Sequence, residues 1–177
     1  MIKRNFTTFP ILTTERLTLR QLSIDDTQNI FALRSDTEIN KYLHREPSKT
    51  VDDARNFIKK IIDNVKNNNS IYWVICLTRT KTFVGIICLF DFSNEKNSCE
   101  IGYELMTKFQ GQGIMNEVVQ AVIDYVFKTL KFKKILAFSH HENHNSTKLL
   151  LKFNFVKSLE TDKENPNLNI FTLSQEY

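Results

Sequence analysis

Apolar residues recur along the chain at two spacings, and each spacing predicts a different kind of element. Steps of three and four residues predict helices that turn one apolar side to a core. One such helix follows Thr50, a candidate N-cap, and its apolar positions are Val51, Ala54, Ile58, Ile61 and Val65. A later helix has the apolar positions Met115, Val118, Val119, Val122, Val126 and Leu130. Shorter helices are predicted from Ser23, a second candidate cap, to about residue 34, and over residues 146–153.

Runs of β-branched and aromatic residues predict the strands. The predicted strands cover residues 15–22, 70–78, 82–93, 98–107, 134–139, 155–160 and 168–174. Three residues separate the second run from the third, which is typical of a hairpin, and the near-continuous apolarity of both predicts a sheet covered on its two faces. The order of elements predicts an α/β (α+β) chain, with a mixed central sheet of six or seven strands between helices.

Length and hydropathy narrow the class of protein. A chain of 177 residues with 41% hydrophobic and 25% charged residues favours one globular domain over residues 1–177. The apolar runs, such as residues 84–90, are much shorter than the ~20 residues that span a bilayer. The N-terminus lacks the long apolar stretch of a signal peptide. We therefore expect a cytoplasmic protein that does not enter a membrane.

The net charge, the cysteines and the histidines give no sign of a nucleic-acid-binding or metal-binding protein. The net charge of +4 is small and dispersed along the chain, so it predicts no nucleic-acid binding by itself. Cys76, Cys88 and Cys99 lie in apolar runs without CxxC spacing, which favours buried thiols over disulfides or metal ligands. The segment HHENH at 140–144 departs from the HExxH zinc motif, because Asn145 stands where the second histidine would be. No metal is predicted.

Glycine is scarce except where a strand meets a helix. The chain has four glycines, at positions 85, 102, 111 and 113, where average usage gives roughly a dozen. Gly111 and Gly113 precede the second long helix, so unhindered backbone N–H groups lie at its positive end, a setting that favours phosphate. A tight turn without a ligand is the alternative. Neither a Walker A lysine nor the third glycine of GxGxxG is present.

The same stretch carries a family resemblance. Residues 110–115 (QGQGIM) resemble the Q/R-x-x-G-x-G/A loop of the GNAT acetyltransferase superfamily, with Met115 in place of the final small residue. Four flanking motifs resemble the branch that contains ribosomal-protein N-terminal acetyltransferases, namely TERL at 14–17, EIGY at 100–103, GIMNE at 113–117, and Asn143-x-x-Ser146 leading to KFNF at 152–155. Asn154 replaces the usual glycine of the last motif, and asparagine tolerates the left-handed conformation that ends a helix.

The resemblance implies acetyl-CoA as co-substrate. Its pyrophosphate would bind backbone N–H groups from Gln112 to Met115, and its pantetheine arm would extend the strand ending at Leu105 and Met106. The implied cofactor residues are Leu105, Met106, Gln110, Gly111, Gln112, Gly113, Ile114, Met115, Asn143 and Ser146. In the family the fourth and fifth strands splay apart to admit the arm, and Gly102 within a strand suits such an interruption. One of Lys128, Lys131, Lys133 and Lys134 could meet the 3′-phosphate, although a solvated face is the alternative.

Catalytic roles follow from the same comparison. Glu100 is the candidate proton acceptor, with Glu104 as its rival, and an ordinary strand-face acid is the alternative for both. Asn143 matches an asparagine that bonds to the pantetheine arm. Ser146 is the candidate proton donor or hydrogen-bond partner of the departing thiolate. The N-cap of the following helix, at Asn145 or Ser146, is an alternative role.

The acceptor side is assigned on the resemblance alone. Tyr42, His44, Trp73 and Phe92 would form an aromatic-lined groove, with membership of the core as the alternative. The expected activity is direct acetyl transfer to a protein or peptide N-terminal amine, of a ribosomal or other protein. Acetylation of a polyamine, amino acid or drug, and CoA binding without turnover, remain open, as does a homodimer of the kind some relatives form.

Overall fold

An eight-stranded sheet forms the centre of the computed structural model, which describes residues 5, 6 and 8–175. The strands are β1 Leu12–Thr13, β2 Leu17–Gln21, β3 Ile71–Leu77, β4 Phe83–Ser93, β5 Ser98–Leu105, β6 Lys134–His140, β7 Val156–Thr161 and β8 Leu168–Ser174. Their spatial order is β1-β2-β3-β4-β5-β6-β8-β7, and every neighbouring pair is antiparallel except β5 and β6. The predicted mixed sheet is therefore confirmed, and it is largely antiparallel. The additional strand is β1, whose two residues pair with β2.

The helices begin where the sequence places capping residues. The α-helices are α1 Thr27–Ser35, α2 Thr37–Asn40, α3 Val51–Lys66, α4 Ile114–Asp124 and α5 His144–Lys152. Short 3₁₀ helices cover Ile24–Asp26 and Thr107–Phe109, and a π-helix over Tyr125–Leu130 continues α4. Ser23 and Thr50 each form a capping box, with Asp26 and Asp53 as the reciprocal partners. Both predicted caps are confirmed.

The helix after β6 starts two residues earlier than predicted. Its N-cap is Asn143, whose side-chain oxygen accepts the backbone N–H of Ser146, so neither Asn145 nor Ser146 has that role. The helix ends as predicted, because Asn154 takes a left-handed φ of 62°. Phe155 N–H then bonds back to the Leu150 carbonyl at 3.1 Å and leads the chain into β7.

Two neighbouring residues of β3 show how helices cover both faces of the sheet. The Tyr72 ring lies 5.9 Å from Phe57 of α3, whereas the Trp73 ring lies 5.6 Å from Tyr125, which follows α4. Consecutive strand residues point to opposite faces, so α3 and α4 cover opposite faces. All but the last residue of β3 are buried, as a sheet covered on both sides requires.

The sheet opens between β5 and β6. These two strands pair only at Ser98 with Lys134, Cys99 with Ile135, and Glu100 with Leu136. In the described part of the chain, no pairing joins the remainder of β5 to the remainder of β6. This is the predicted splay; the strands are the fourth and fifth when the two-residue β1 is not counted. None of the helices in residues 8–175 is long and apolar enough to cross a membrane.

Candidate active site

A cleft of about 630 Å³ lies where β5 and β6 part. It is lined by α2 and the residues after it, the end of β5, the turn into α4, and α5. The predicted cofactor residues that reach this cleft are Leu105, Gln110, Gly111, Gly113, Ile114, Met115, Asn143 and Ser146. Met106 and Gln112 lie beside it instead. The Met106 N–H donates to Val84 of β4, and the Gln112 side chain folds back to the Lys108 carbonyl.

The turn over residues 108–117, which we call the glycine corner, presents backbone donors to the cleft. Gly111 and Gly113 have φ values of 73° and 75°, and Gly113 is the N-cap of α4. A Cβ added at Gly111 would meet no atom within 4 Å. Among the described residues, no protein acceptor takes a backbone N–H from residues 111–116. Open space, free donors and the positive end of a helix fit a diphosphate.

A carboxylate of α4 holds the glycine corner against the start of the sheet. Glu117 Oε2 accepts from Arg16 Nε at 2.8 Å, Glu117 Oε1 accepts from the Arg16 backbone N–H at 2.9 Å, and Thr14 Oγ1 donates to the same oxygen. Arg16 also donates to the Gln112 carbonyl at 3.3 Å. Burial opposes ionisation of Glu117, but the bonds from Thr14 and Arg16 outweigh it and hold the pKa below its ordinary value. We call these three residues the clamp.

Two hydroxyl groups meet on the α4 and α5 side of the cleft. Tyr103 Oη lies 2.9 Å from Ser146 Oγ, and both residues line the cleft. Burial raises the pKa of Tyr103 to about 12 against the smaller opposite effect of this hydrogen bond. The Tyr103 side chain was not predicted as a site residue, because its strand position places it among apolar neighbours. The EIGY motif at 100–103 was the available signal.

The two strand carboxylates have different surroundings. Glu100 lies at the last residue pair that joins β5 to β6, opposite Leu136. Burial, followed by the nearby charges of Asp91 and Asp162, raises its pKa to about 7. Glu104 lines the cleft, but Arg45 binds both of its oxygens, at 2.6 and 2.7 Å. Glu104 is therefore already engaged by a cation, which makes it the weaker candidate for accepting a proton.

Residues 36–45, which we call the strap, contact both parting strands. Arg45 binds Glu104 on β5, and the Tyr42 ring lies 5.6 Å from His140 at the end of β6. Of the predicted acceptor residues, Tyr42 lines the cleft, whereas His44 is exposed and outside the lining. The strap thus lines the cleft together with α5 and the glycine corner.

Two predicted acceptor residues lie elsewhere and are corrected here. Trp73 is fully buried against Tyr125, and its indole N–H donates to the Pro10 carbonyl at 2.6 Å, so it belongs to the core. Phe92 stacks on Phe132 with ring centroids 5.7 Å apart, at the end of β4 that is remote from the glycine corner. Both side chains are satisfied by packing on the sheet.

The α5 lysines that line the cleft are not among the four predicted as candidates for the 3′-phosphate. Lys148 and Lys152 of α5 line the cleft, whereas none of Lys128, Lys131, Lys133 and Lys134 does. Lys128 instead pairs with Asp124 at 3.3 Å. His140 and His141 stack at 4.6 Å, and no group of three or more potential metal ligands occurs in the described residues.

Comparison with known proteins gives one consistent family. The family model described as "Acetyltransferase (GNAT) domain" matches residues 16–156. The uncharacterised N-acetyltransferase YoaA of Bacillus subtilis is 33% identical over 149 residues, which are 84% of each chain. The uncharacterised N-acetyltransferase p20 of Bacillus licheniformis is 35% identical over 147 residues, 82% of each chain. The ribosomal protein uS5-alanine N-acetyltransferase of Escherichia coli is 29% identical over 96 residues, 52% of this chain and 48% of that protein.

Solved structures share the fold. A GNAT-family acetyltransferase from Bacillus anthracis superposes with a TM-score of 0.80 at 24% identity, covering 93% of this chain and 98% of that one. Spermidine N-acetyltransferase from Vibrio cholerae, solved with CoA and spermine, gives a TM-score of 0.79 at 23% identity, covering 90% of this chain and 96% of that one. At these identities the likeness concerns the fold.

Proposed function

The chain belongs to the acetyltransferase (GNAT) family, and on that premise we propose that it transfers the acetyl group of acetyl-CoA directly to the N-terminal amine of a protein or peptide. The observation that carries the proposal is that β5 and β6 stop pairing after Glu100 and Leu136, and that the following part of β5, residues 103–105, lines one cleft with the glycine corner. The glycine corner offers free amide donors to a diphosphate. Beyond their last shared pair, β5 and β6 have unpaired edges.

The chain's own residues fit a CoA thioester. The N–H groups of residues 111–116 bind the diphosphate, and Lys148 and Lys152 add positive charge beside it. The edge of β5 that faces the opening supplies backbone groups to an extended pantetheine arm, as a neighbouring strand would. The thioester supplies an activated acyl carbon, and the protein orients it and handles protons.

Opposite strand faces separate the two proton-handling sites. Glu100 and Tyr103 are three residues apart on β5, so their side chains leave opposite faces. Glu100, which lies outside the lining of the cleft and has a pKa of about 7, accepts through water the proton that the attacking amine loses. Ser146 lies with Tyr103 on the α5 side and donates a hydrogen bond to the sulfur as the C–S bond breaks. Asn143 keeps Ser146 in place through the helix cap.

The charges around the cleft favour a single amine over a polycation. Three lysines, Lys41, Lys148 and Lys152, line it against two acids, Glu38 and Glu104, and Arg45 neutralises Glu104. An N-terminal amine has a pKa of ~8 and needs less help to lose a proton than a lysine near 10.4. Tyr42 lines the cleft, where its ring would contact the first residues of a peptide. The name of the Escherichia coli relative, which acts on the alanine of uS5, agrees with this acceptor class.

A polyamine is the second candidate acceptor, and one observation favours it. Asp91 and Asp162 lie close enough to Glu100 to raise its pKa, so three carboxyl groups lie near the point where β5 and β6 part. A second ammonium group of a polyamine could form ion pairs with these carboxyl groups. The spermidine acetyltransferase with the same fold shows that this architecture suits such substrates in that protein.

Release of CoA thiol from acetyl-CoA, measured over a panel of acceptors, tests the proposal. The panel contains peptides with free Ala or Ser N-termini, the same peptides with blocked N-termini and an internal lysine, spermidine, and free amino acids. We expect kcat/KM to be highest for the free N-termini and to vanish when they are blocked. A preference for spermidine would replace the peptide by the polyamine, and CoA binding by calorimetry without any turnover would reduce the protein to a CoA-binding module.

A further inference from the structure

The hydrogen bond between β5 and α5 involves a tyrosine, Tyr103, whose hydroxyl has no role in the mechanism described so far. Tyr103 Oη and Ser146 Oγ are 2.9 Å apart, and geometry alone allows either oxygen to be the donor. Among the described residues, Ser146 is the only hydrogen-bond partner of the Tyr103 hydroxyl. We propose that Tyr103 is a positioning residue for acetyl transfer: its phenol donates to Ser146 Oγ and so leaves the serine hydrogen free to point at the departing sulfur.

Acidity decides the direction of this hydrogen bond. A phenol has an ordinary pKa near 10, so it is a better donor and a poorer acceptor than the aliphatic hydroxyl of serine. Burial raises the pKa of Tyr103 further, to about 12, so the phenol stays protonated over the whole working range. The favoured arrangement is therefore Tyr103 O–H donating to Ser146 Oγ, with the Ser146 O–H directed elsewhere.

The surrounding structure leaves the cleft as the direction for that hydrogen. Tyr103 is held by the β4 pairing of β5, opposite Ile87, and Ser146 is held by its backbone bond to Asn143 Oδ1 at 3.1 Å. Both side chains are only partly buried, and both line the cleft. Because the two oxygens are fixed on separate elements, the Ser146 O–H is held in one direction. A serine hydroxyl free to rotate would not be oriented in this way.

The chemical step needs no proton from Tyr103. The amine lone pair forms the new C–N bond, the C–S bond breaks with its electron pair on sulfur, and the surplus amine proton passes to Glu100 or water. The Ser146 O–H stabilises the negative charge on sulfur by a hydrogen bond until solvent protonates it. This inference rests on the proposed function, because it requires a thioester in the cleft.

The Tyr103→Phe variant keeps the ring and removes the hydroxyl. A hydrogen bond to a developing charge contributes enough that we expect kcat to fall about 10-fold, with KM for acetyl-CoA changed less than about 2-fold. Binding gives a readout without turnover. Affinity for CoA should fall about 3-fold or more at a pH where the thiol ionises, and affinity for desulfo-CoA, which lacks sulfur, should not change. Tyr125→Phe, a half-buried tyrosine against Trp73, is the matched control and should leave both affinities intact.

A double-mutant cycle separates positioning from packing. Because Tyr103 acts through Ser146, the double variant Tyr103→Phe/Ser146→Ala should be no slower than Ser146→Ala alone. Additive losses, an unchanged kcat in Tyr103→Phe, or equal weakening of CoA and desulfo-CoA together with a lower Tm would overturn the inference. Failure of the wild-type protein to bind CoA would instead overturn the proposed function, so the two failures are distinguishable.

Discussion

The two walls of the cleft are built in different ways. The glycine corner takes its shape from one short stretch, in which two left-handed glycines turn the chain into α4 and expose backbone donors. The strap has one four-residue helix, α2, and owes its position to side chains that contact β5 and β6. Arg45 and its partner Glu104 are 59 residues apart in the chain.

The difference has a functional consequence. Backbone donors depend little on side-chain identity, so a diphosphate site made from them persists while the neighbouring residues change. The strap contacts are made by side chains, and a single substitution alters the charge and the width of the acceptor side. We therefore expect substitutions in the glycine corner to affect CoA binding and substitutions in the strap to affect the acceptor.

The largest effect should come from Gly113→Val. A β-branched residue strains a φ of 75° and adds atoms beside the Arg16 guanidinium, so the corner should change shape. Loss of about two charge-assisted hydrogen bonds corresponds to a CoA affinity on the order of 100-fold weaker. Calorimetric titration with CoA measures it. Lys81→Val, which strains a similar φ of 59° in the hairpin turn, should lower stability and leave CoA affinity unchanged. Equal CoA affinities in the two variants would contradict the role of the corner.

Glu100→Gln should lower kcat about 30-fold or more, because proton acceptors contribute on the order of 10²-fold or more. The pH profile of kcat/KM sharpens the test. The wild-type profile should rise through about pH 7, the pKa of Glu100, and the variant should keep only the inflection of the acceptor amine at ~8. A profile that keeps its inflection near 7 in Glu100→Gln would assign the proton to another group.

Stability should change in the opposite direction to activity in the same variant. The pKa of Glu100 is higher in the folded state than in the unfolded chain, so between roughly pH 4.3 and 7 the folded state binds more protons. Stability attributable to Glu100 is thus lost as the pH rises through that window. Glu100→Gln, which cannot ionise, should have a higher Tm than the wild type at pH 8 and no advantage at pH 4. Thermal unfolding at the two pH values checks this.

Arg45→Met should act on the acceptor side. The variant leaves the Glu104 carboxylate, 13% exposed, without its cation, and we expect a loss of ~2–3 kcal/mol in the free energy of unfolding. The freed negative charge should also raise kcat/KM for spermidine relative to a peptide. Arg45→Met/Glu104→Gln removes both charges and should restore most of the stability without the gain for spermidine. Weakened CoA binding in Arg45→Met would break the proposed division between the two walls.

The smallest effect should come from the clamp, because it only supports a corner that backbone geometry already shapes. Glu117→Gln should weaken CoA binding about 3-fold. The folded-state pKa of Glu117 is lowered, so its contribution to stability is present above roughly pH 4.3 and is lost as the pH falls through the lower folded value. Urea unfolding from pH 7 to pH 3 should show this loss in the wild type and much less in the variant. Asp63→Asn, an exposed position on α3, serves as the charge-matched control and should behave like the wild type.

The secondary structure was largely predictable because its signals are local. Apolar steps of three and four residues located α3 and α4, and Ser23 and Thr50 marked helix starts through bonds that span three residues. The left-handed Asn154 was predictable for the same reason. Where a local signal was ambiguous, as among the polar residues 143–146, the predicted cap was displaced by two or three positions.

The residues of the glycine corner were easier to predict from the sequence than those of the acceptor site. The corner's glycines and the residues before and after them form a contiguous motif, and the structure brings most of them to the cleft. Trp73 and Phe92 have the residue types of a binding groove, but which face of the sheet a strand residue occupies, and what covers it, depends on helices remote in the sequence. The Tyr103 and Ser146 contact, across 43 residues, has no local signature either.

By itself, the sequence determined most of the helices and strands and the turn at the glycine corner, because backbone conformation and hydrophobic period act over a few residues. Tertiary structure alone decided that Arg16 meets Glu117, that Arg45 neutralises Glu104, and that Tyr103 faces Ser146 while Glu100 faces the other side. These contacts join residues that only the folded sheet brings together, and charge and hydrogen-bond energies depend on distances of a few ångströms.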